Sequence, residues 1–408
     1  MADRPTLLAL LGCGLGPSYV AWGESVEPVV VQAADLAGFF DGLSVDMPDS
    51  AVPVDADVDA DRPGWSGFTG GHIVQCDYEA PATPPRAWRV DGYAAWTADG
   101  ACTLHARGDA LLARMAEDLT AVERPCSVAA DRAALEPAWH ADGHVERVTR
   151  IRSLIADGDI YQANLTLPFT AAISGAHADL AVFLALTDAS PAPFSAFLRA
   201  PGRSTVVSHS PECFLASAGE RMVSKPIKGT RRRIAGQDER TRAELSESAK
   251  DRAELAMIVD LVRHDLGRVA ATGSVRVESA ASVLDLPTLH HLEATISARL
   301  RPGSTLGEAI AAAFPPGSVT GAPKIRAMQI IQNCEVGARG AYCGAFGWYA
   351  RGIGCRLAVA IRTLTIAGGV ATLHAGSGIV ADSDPVQEWL ETCAKAEAMA
   401  AAVGARLP

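Results

Sequence analysis

The stretch SKPIKGTRRR, residues 224–233, sets Lys228 between an apolar pair, Pro226 and Ile227, and a glycine, Gly229. The apolar pair predicts the end of a strand, and the glycine permits a sharp turn or a close backbone approach. An amine there would emerge where a ligand could meet it. Lys225, Arg231, Arg232 and Arg233 crowd it with like charge, which favours a neutral, nucleophilic amine. The competing reading is an ordinary strand-end lysine on the surface.

Acids stand in unusual places on two further segments. In ESAKDRAELAMIVDLVRHDLGRVA, Leu255, Ile258, Val259, Val262, Leu266 and Val269 fall on one helical stripe. Asp251 lies within that stripe and Glu254 on its edge, so these acids must be salt-bridged, protonated or metal-bound. SDPVQEWLETCAKA opens with an N-cap aspartate, Asp384, a proline at the first helical position, and Gln387 at the capping-box position. Val386, Trp389, Leu390 and Cys393 are expected on its apolar face, with Glu388, Glu391 and Lys395 opposite. Either these acids are a solvated face with one Glu391–Lys395 pair, or two helices, each with acids three residues apart, supply the few carboxylates that Mg²⁺ takes while keeping waters. PPGSVTGAPK (315–324) and LHAGSGIV (373–380) offer exposed backbone N–H groups suited to carboxylates, and Arg362 ends a strand where it could clamp one. Each of these alone is more often a structural turn or a surface arginine. The first lacks the spacing of a phosphate loop, which excludes a P-loop nucleotide triphosphatase.

The elements that must position these groups read as follows. Residues 1–45 predict strand, turn, strand; 46–64, rich in Asp and Pro, predict a loop; a helical segment and linker run from 102 to 136. Beyond that, helices at 142–157, 242–271, 305–313 and 385–403 alternate with strands near 160–173, 204–224, 341–350, 355–367 and 370–375. Short turns between successive strands favour antiparallel sheets. The 408 residues exceed a usual single core, giving regions 1–136 and 137–408 that form one intertwined unit. A net charge of −11 excludes a general nucleic-acid or anionic-membrane binder. TLLALLGCGLG near the start is too short to span a membrane and is followed by no clear cleavage site. Nine widely spaced cysteines without a C-x-x-C pair predict reduced packing residues in a cytoplasmic protein.

Taken together and in order, GDIYQANLT, SPECFL, PIKGTRRR, SAKDRAELAMIVDLVRHDLGRV, HHLEATI, PPGSVTGAPKIRAMQII, GAYCGAFGWY, AIRTL, AGSGIVADSDP and EWLETCAKA resemble the chorismate-utilising enzymes over roughly residues 140–400. The resemblance implies an α+β fold of two stacked antiparallel β-sheets surrounded by helices. It implies Mg²⁺ held by Glu254 and Glu391, supported by Asp251 and Glu388, and binding a carboxylate of chorismate. Gly229, Thr230, Gly321, Tyr342, Arg362, Gly376, Ser377, Gly378 and Lys395 match substrate-contacting positions. His291 matches a histidine near the reacting ring. Glu212 matches the acid that protonates the departing C4 hydroxyl, a step that needs a proton donor because hydroxide leaves poorly.

Two positions choose the branch within that family. Isochorismate- and salicylate-forming members carry a water-activating lysine where this chain has Gln162, which points to ammonia as the nucleophile. Anthranilate-forming members carry alanine where this chain has Lys228, and PIKGT resembles the aminodeoxychorismate-forming branch, component I. The resemblance therefore implies that Lys228 attacks C2 of chorismate and ammonia then adds at C4. Para-aminobenzoate and folate biosynthesis would follow from that product. No glutaminase segment is visible, so a separate glutamine amidotransferase subunit would supply the ammonia. The alternatives are an anthranilate synthase component I and a non-catalytic homologue that binds a glutaminase. Arg232, Leu255 and His264 depart from the family's usual residues.

Overall fold

A computed structural model describes residues 6–11, 18–29, 34–43, 65, 68, 71–80, 82–96, 102–120, 135–175, 177–234 and 236–407. The predicted 46–64 loop, most of the 121–136 linker, Cys13 and Cys126, and the glycines at 12, 14 and 16 lie outside the described residues. Among the described residues the strands form two antiparallel sheets, one of eleven strands and one of ten. Alternating residues of both sheets meet in a shared apolar layer. Leu8, Leu10 and Phe194 from the first sheet pack there against Phe346, Trp348 and Ala216 from the second. Helices cover the two outer faces. This is the expected α+β architecture of two stacked antiparallel sheets.

Strands before residue 137 pair directly with strands after it in both sheets. Leu7–Leu11 lies against Phe194–Arg199, and Gly71–Cys76 lies against Ala345–Ala350. Tyr78 and Glu79 then bind the turn that carries Arg339, the Tyr78 N–H donating to the Gly340 carbonyl. Glu79 accepts the N–H groups of Arg339 and Gly340. The Arg339 guanidinium stacks on Tyr78 and donates to Glu335 and to the carbonyls of Val319 and Asn164. Glu335 also accepts from the Thr166 backbone and hydroxyl. One buried ion pair thus ties the early segment, the strand Gln162–Ala172 and the turn at 317–320 together.

Five element expectations change. The region 1–45, expected as strand, turn, strand, also holds a helix, Leu36–Gly42. The segment expected to be helical from 102 opens with a strand, Cys102–Ala106, and its helix is Asp109–Thr120. The long helix predicted over 242–271 is two helices, Asp238–Glu247 and Ala249–Gly267. Ser248 is extended and caps the second by accepting from the Asp251 N–H, as a serine at an N-cap does. The strand predicted over 355–367 breaks at 360–362 into Gly354–Val359 and Thr363–Ala367, which belong to different sheets. The last helix, Pro385–Ala402, is capped by Asp384 as expected but turns the other way. Glu388, Thr392, Ala396 and Met399 face inward, while Val386 and Leu390 stand 54% and 52% exposed. The Leu255–Val269 stripe is buried throughout.

Removing the cation from the buried Arg339–Glu335 pair strands a carboxylate in the interior. Arg339→Met is expected to lower unfolding stability by roughly 3–5 kcal/mol, read as a shift in urea midpoint. The double variant with Glu335→Gln is expected to regain most of it. An Arg339→Met midpoint equal to that of the unsubstituted chain would mean the network does not hold these segments.

Candidate active site

Lys228 lies in the edge strand Ile227–Arg232. The pairing with Leu289–Arg299 slips between Lys228 and Thr230, leaving Gly229 as a bulge. Gly229 has φ of 66°, and a Cβ there would meet Leu245 and Asp251 at about 3 Å. A glycine is therefore required, and the bulge re-aims Lys228. Its Nζ donates to the Ser318 carbonyl at 3.1 Å. Burial holds this amine below the ordinary lysine range, against the pull of Glu254, with Lys395 reinforcing burial. The neighbouring arginines are not the cause expected from sequence. Arg231 is paired with Asp251 at 2.9 Å, Arg233 with Asp238 at 2.6 Å, and Arg232 is exposed.

Glu212 is 3% exposed. Burial pushes its carboxyl up to about 7, with Glu293 adding to the effect while the nearby Ser318 hydroxyl, Lys228 and the Ile227 N–H pull it back. A carboxylic acid that keeps its proton near neutrality is equipped to donate it.

Gln162 begins the strand Gln162–Ala172. It is 1% exposed, and neither its side-chain oxygen nor its nitrogen has a hydrogen-bond partner. It faces Gly378, where a Cβ would stand 2.5 Å from Gln162 Nε2 and 3.6 Å from Lys228 Nζ. The missing methyl lets the amide and the amine converge across one glycine. A buried amide calls for hydrogen-bond partners, and here the protein supplies none. The Ser377 hydroxyl next to it is likewise buried and unpartnered. Gly376 packs flush against Leu165, and its carbonyl accepts from Lys395. Gly321 packs against Gln162 and Ala327 in the same way.

Arg362 has φ of 49°, a left-handed conformation costly for a non-glycine residue. It donates to His291 Nε2 at 2.9 Å, so the ring proton sits on Nδ1, within 3.1 Å of the Gly229 carbonyl and Thr230 Oγ1. Burial and Arg362 depress the His291 pKa to about 3. This imidazole is neutral at ordinary pH and serves as a fixed donor and acceptor. Tyr342 is buried and stacks on His374, two residues before Gly376.

The four acids proposed for the metal are not equivalent. Burial raises Glu254, while Lys395 lowers the half-exposed Glu391, which it pairs at 2.7 Å. Glu254 and Glu391 lie close enough to influence each other and Lys228. Asp251 is engaged by Arg231. Glu388 is buried, with one oxygen accepting from Ser383 and the other unpartnered. Among the described residues no three His, Cys, Asp or Glu side chains converge to hold an ion alone. The donor set fits a hard cation that uses one or two carboxylates and completes its shell with water and an anionic ligand, which is the habit of Mg²⁺.

Sequence reasoning did not find the Ser318 carbonyl, Glu293, or the Asp265–Lys324 pair at 2.6 Å. The first is a backbone atom, and the others sit among residues that read as core or surface. Of the departures from the family pattern, Leu255 is in the core and His264 is exposed.

A family model described as chorismate binding enzyme matches residues 81–401. The chain is 44% identical over 261 residues to an aminodeoxychorismate synthase of Streptomyces pristinaespiralis, covering 63% of this chain and 36% of that protein. It is 43% identical over 249 residues to aminodeoxychorismate synthase component 1 of Escherichia coli, covering 60% and 54%. It is 39% identical over 285 residues to anthranilate synthase component 1 of Haloferax volcanii, covering 68% and 54%. The chain spans about half the length, or less, of these curated relatives. Among solved structures, anthranilate synthase component I from Streptococcus pneumoniae superposes with a TM-score of 0.76 at 25% identity, covering 98% of this chain and 91% of that one.

The protonated state of Glu212 has a sign in stability. Its proton is held to about pH 7 in the folded chain but lost near ~4.3 when unfolded. The stability it contributes is therefore full below the lower value and lost as pH rises through the upper one. Glu212→Gln is expected to match the unsubstituted chain at about pH 4 and exceed it by up to roughly 3 kcal/mol at about pH 8. Parallel urea midpoints across that range would show the carboxyl to be unperturbed.

Proposed function

This chain belongs to the chorismate binding enzyme family, and from that premise we propose that it converts chorismate and ammonia to 4-amino-4-deoxychorismate. The observation that carries this reading is the Lys228 amine: buried, pushed toward its neutral form, and held by a single carbonyl beside an acid poised to donate. A lysine so placed is a nucleophile of the kind desolvation produces.

In this reading the amine attacks C2 of the ring, the double bond shifts, and the C4–oxygen bond breaks. Glu212 gives its proton to the departing oxygen, which leaves as water. Ammonia then bonds to C4, the double bond returns, and the C2–nitrogen bond breaks to free Lys228. The unpartnered Gln162 amide, near Lys228 across Gly378, is suited to orient ammonia and has no basic group with which to activate water. Arg362, the Ser377 hydroxyl and Lys395 line up as partners for substrate carboxylates and hydroxyls. Mg²⁺ held by Glu254 and Glu391 would neutralise a substrate carboxylate and offset the pull of those acids on Lys228.

The ammonia source would be a separate glutamine amidotransferase subunit, in keeping with relatives named as a component 1. The reduced cysteines fit a cytoplasmic setting, and the product would serve para-aminobenzoate formation. Anthranilate formation is the second reading, favoured by the likeness to anthranilate synthase components. Incubating the chain with chorismate, Mg²⁺ and ammonium salt, and separating the products, decides between them: 4-amino-4-deoxychorismate supports the proposal, and anthranilate overturns it.

Lys228→Ala is expected to bind chorismate nearly as well but to form 4-amino-4-deoxychorismate at least ~100-fold more slowly. A covalent adduct mapping to Lys228 by intact-protein mass spectrometry is the direct check. Formation at the unsubstituted rate would rule out covalent catalysis. Glu254→Gln and Glu391→Gln are each expected to abolish turnover while leaving the melting temperature within a few degrees, and excess chelator should do the same to the unsubstituted chain. Full activity in chelator would remove the metal from the proposal.

A further inference from the structure

The mechanism just proposed consumes a proton. Glu212 supplies one to the leaving oxygen, ammonia displaces Lys228 as the free amine, and the product departs as an ammonium. Glu212 is left as a carboxylate and must be reloaded once per turnover. It is buried, and in the proposed reaction it would face the substrate.

Behind Glu212 lies a cavity of about 10 Å³, close to the space one water needs. Glu212, Ser318 and Asp265 line it, with Val262, Leu266 and Pro316 as apolar walls. The Ser318 hydroxyl is buried and close enough to the Glu212 carboxyl to stabilise its charged form. Asp265 is buried at the end of the Ala249–Gly267 helix. Its Oδ2 accepts from Lys324 Nζ at 2.6 Å. That ammonium also donates to the carbonyls of Ala313 and Pro315, so its three hydrogens are all engaged and it holds Asp265 in place. Asp265 Oδ1 lies 3.7 Å from Nδ1 of His264, whose side chain is 73% exposed. Arg268 also acts on this carboxylate, favouring its charged form. An exposed imidazole thus lies 3.7 Å from a buried carboxylate, and that carboxylate shares a cavity with Glu212 and Ser318.

We infer, resting on the function proposed above, that His264, Asp265 and the cavity behind Glu212 form a proton inlet. His264 takes a proton from solvent and passes it to Asp265. Asp265 hands it to a cavity water, and the water, with the Ser318 hydroxyl, returns it to Glu212. No bond other than those to protons is made or broken, and each carrier ends as it began once His264 is recharged. Burial raises the Asp265 carboxyl above its ordinary range, which brings it nearer to Glu212 and lowers the barrier between them. The bland role for His264 is a cation that favours the helix C-terminus, and the test separates the two.

His264→Gln and His264→Lys are surface changes, and the second keeps the charge. In dilute buffer without imidazole at about neutral pH, both are expected to slow multiple-turnover product formation by up to roughly 100-fold. Single-turnover consumption of chorismate by a stoichiometric amount of enzyme should be unchanged, and added imidazole should restore the multiple-turnover rate. The inlet is overturned if both variants turn over at the unsubstituted rate, if only the uncharged variant is slow, if single turnover slows equally, or if imidazole restores nothing. An unsubstituted chain that consumes no chorismate would instead overturn the proposed function.

Discussion

The site depends on the exclusion of water from Lys228 and Glu212. Burial pushes both toward their neutral forms, the lysine down and the glutamate up, which is the direction the proposed nucleophile and proton donor require. In water the same two side chains would be oppositely charged at neutral pH. Desolvation alone is indiscriminate, and the fold has to supply the aim. The Gly229 bulge turns Lys228 out of its strand, the Ser318 carbonyl receives it, and Gly378 lets Gln162 approach from the other sheet. The Arg339–Glu335 pair fixes the turn that carries Ser318, through the Val319 carbonyl, to the strand that carries Gln162, through Asn164 and Thr166. A network that looks like scaffolding is thus what keeps groups from two sheets in register.

Much of this was legible where the signal is local. The stripe from Leu255 to Val269, the Asp384 cap, the glycine after Lys228 and the ordered motifs all reflect neighbours in sequence. What escaped was set by tertiary contact. The arginines beside Lys228 suggested like-charge repulsion, but Arg231 and Arg233 are drawn off by Asp251 and Asp238 from other elements, so burial does the work instead. Glu335 and Arg339, four residues apart, have the spacing of a solvated pair and are buried. Ser248 divides a continuous helical pattern because its side chain caps the second helix as well as ending the first. The acceptor for Lys228 is a carbonyl, which every residue has and no pattern marks.

The last helix shows chemistry overruling hydrophobic partition. Its pattern assigns Val386, Trp389, Leu390 and Cys393 to the core, yet Val386 and Leu390 face solvent, and Glu388 and Thr392 face inward. Leaving two aliphatic side chains outside forgoes a few kcal/mol, at roughly 1.5–3 kcal/mol for each full burial. A helix has one rotation about its axis, and this one brings Glu388, Glu391 and Lys395 toward the strand Val370–Ile379, where Lys395 reaches the Gly376 carbonyl. Rotating it to bury the aliphatics would carry Glu391 and Lys395 away from Lys228. The core partly compensates lower on the helix, where Ala396, Met399 and Ala400 pack against Phe183, Leu186 and Leu373. The C-terminal half of the helix therefore secures the orientation, and the N-terminal half uses it to present charge to the site.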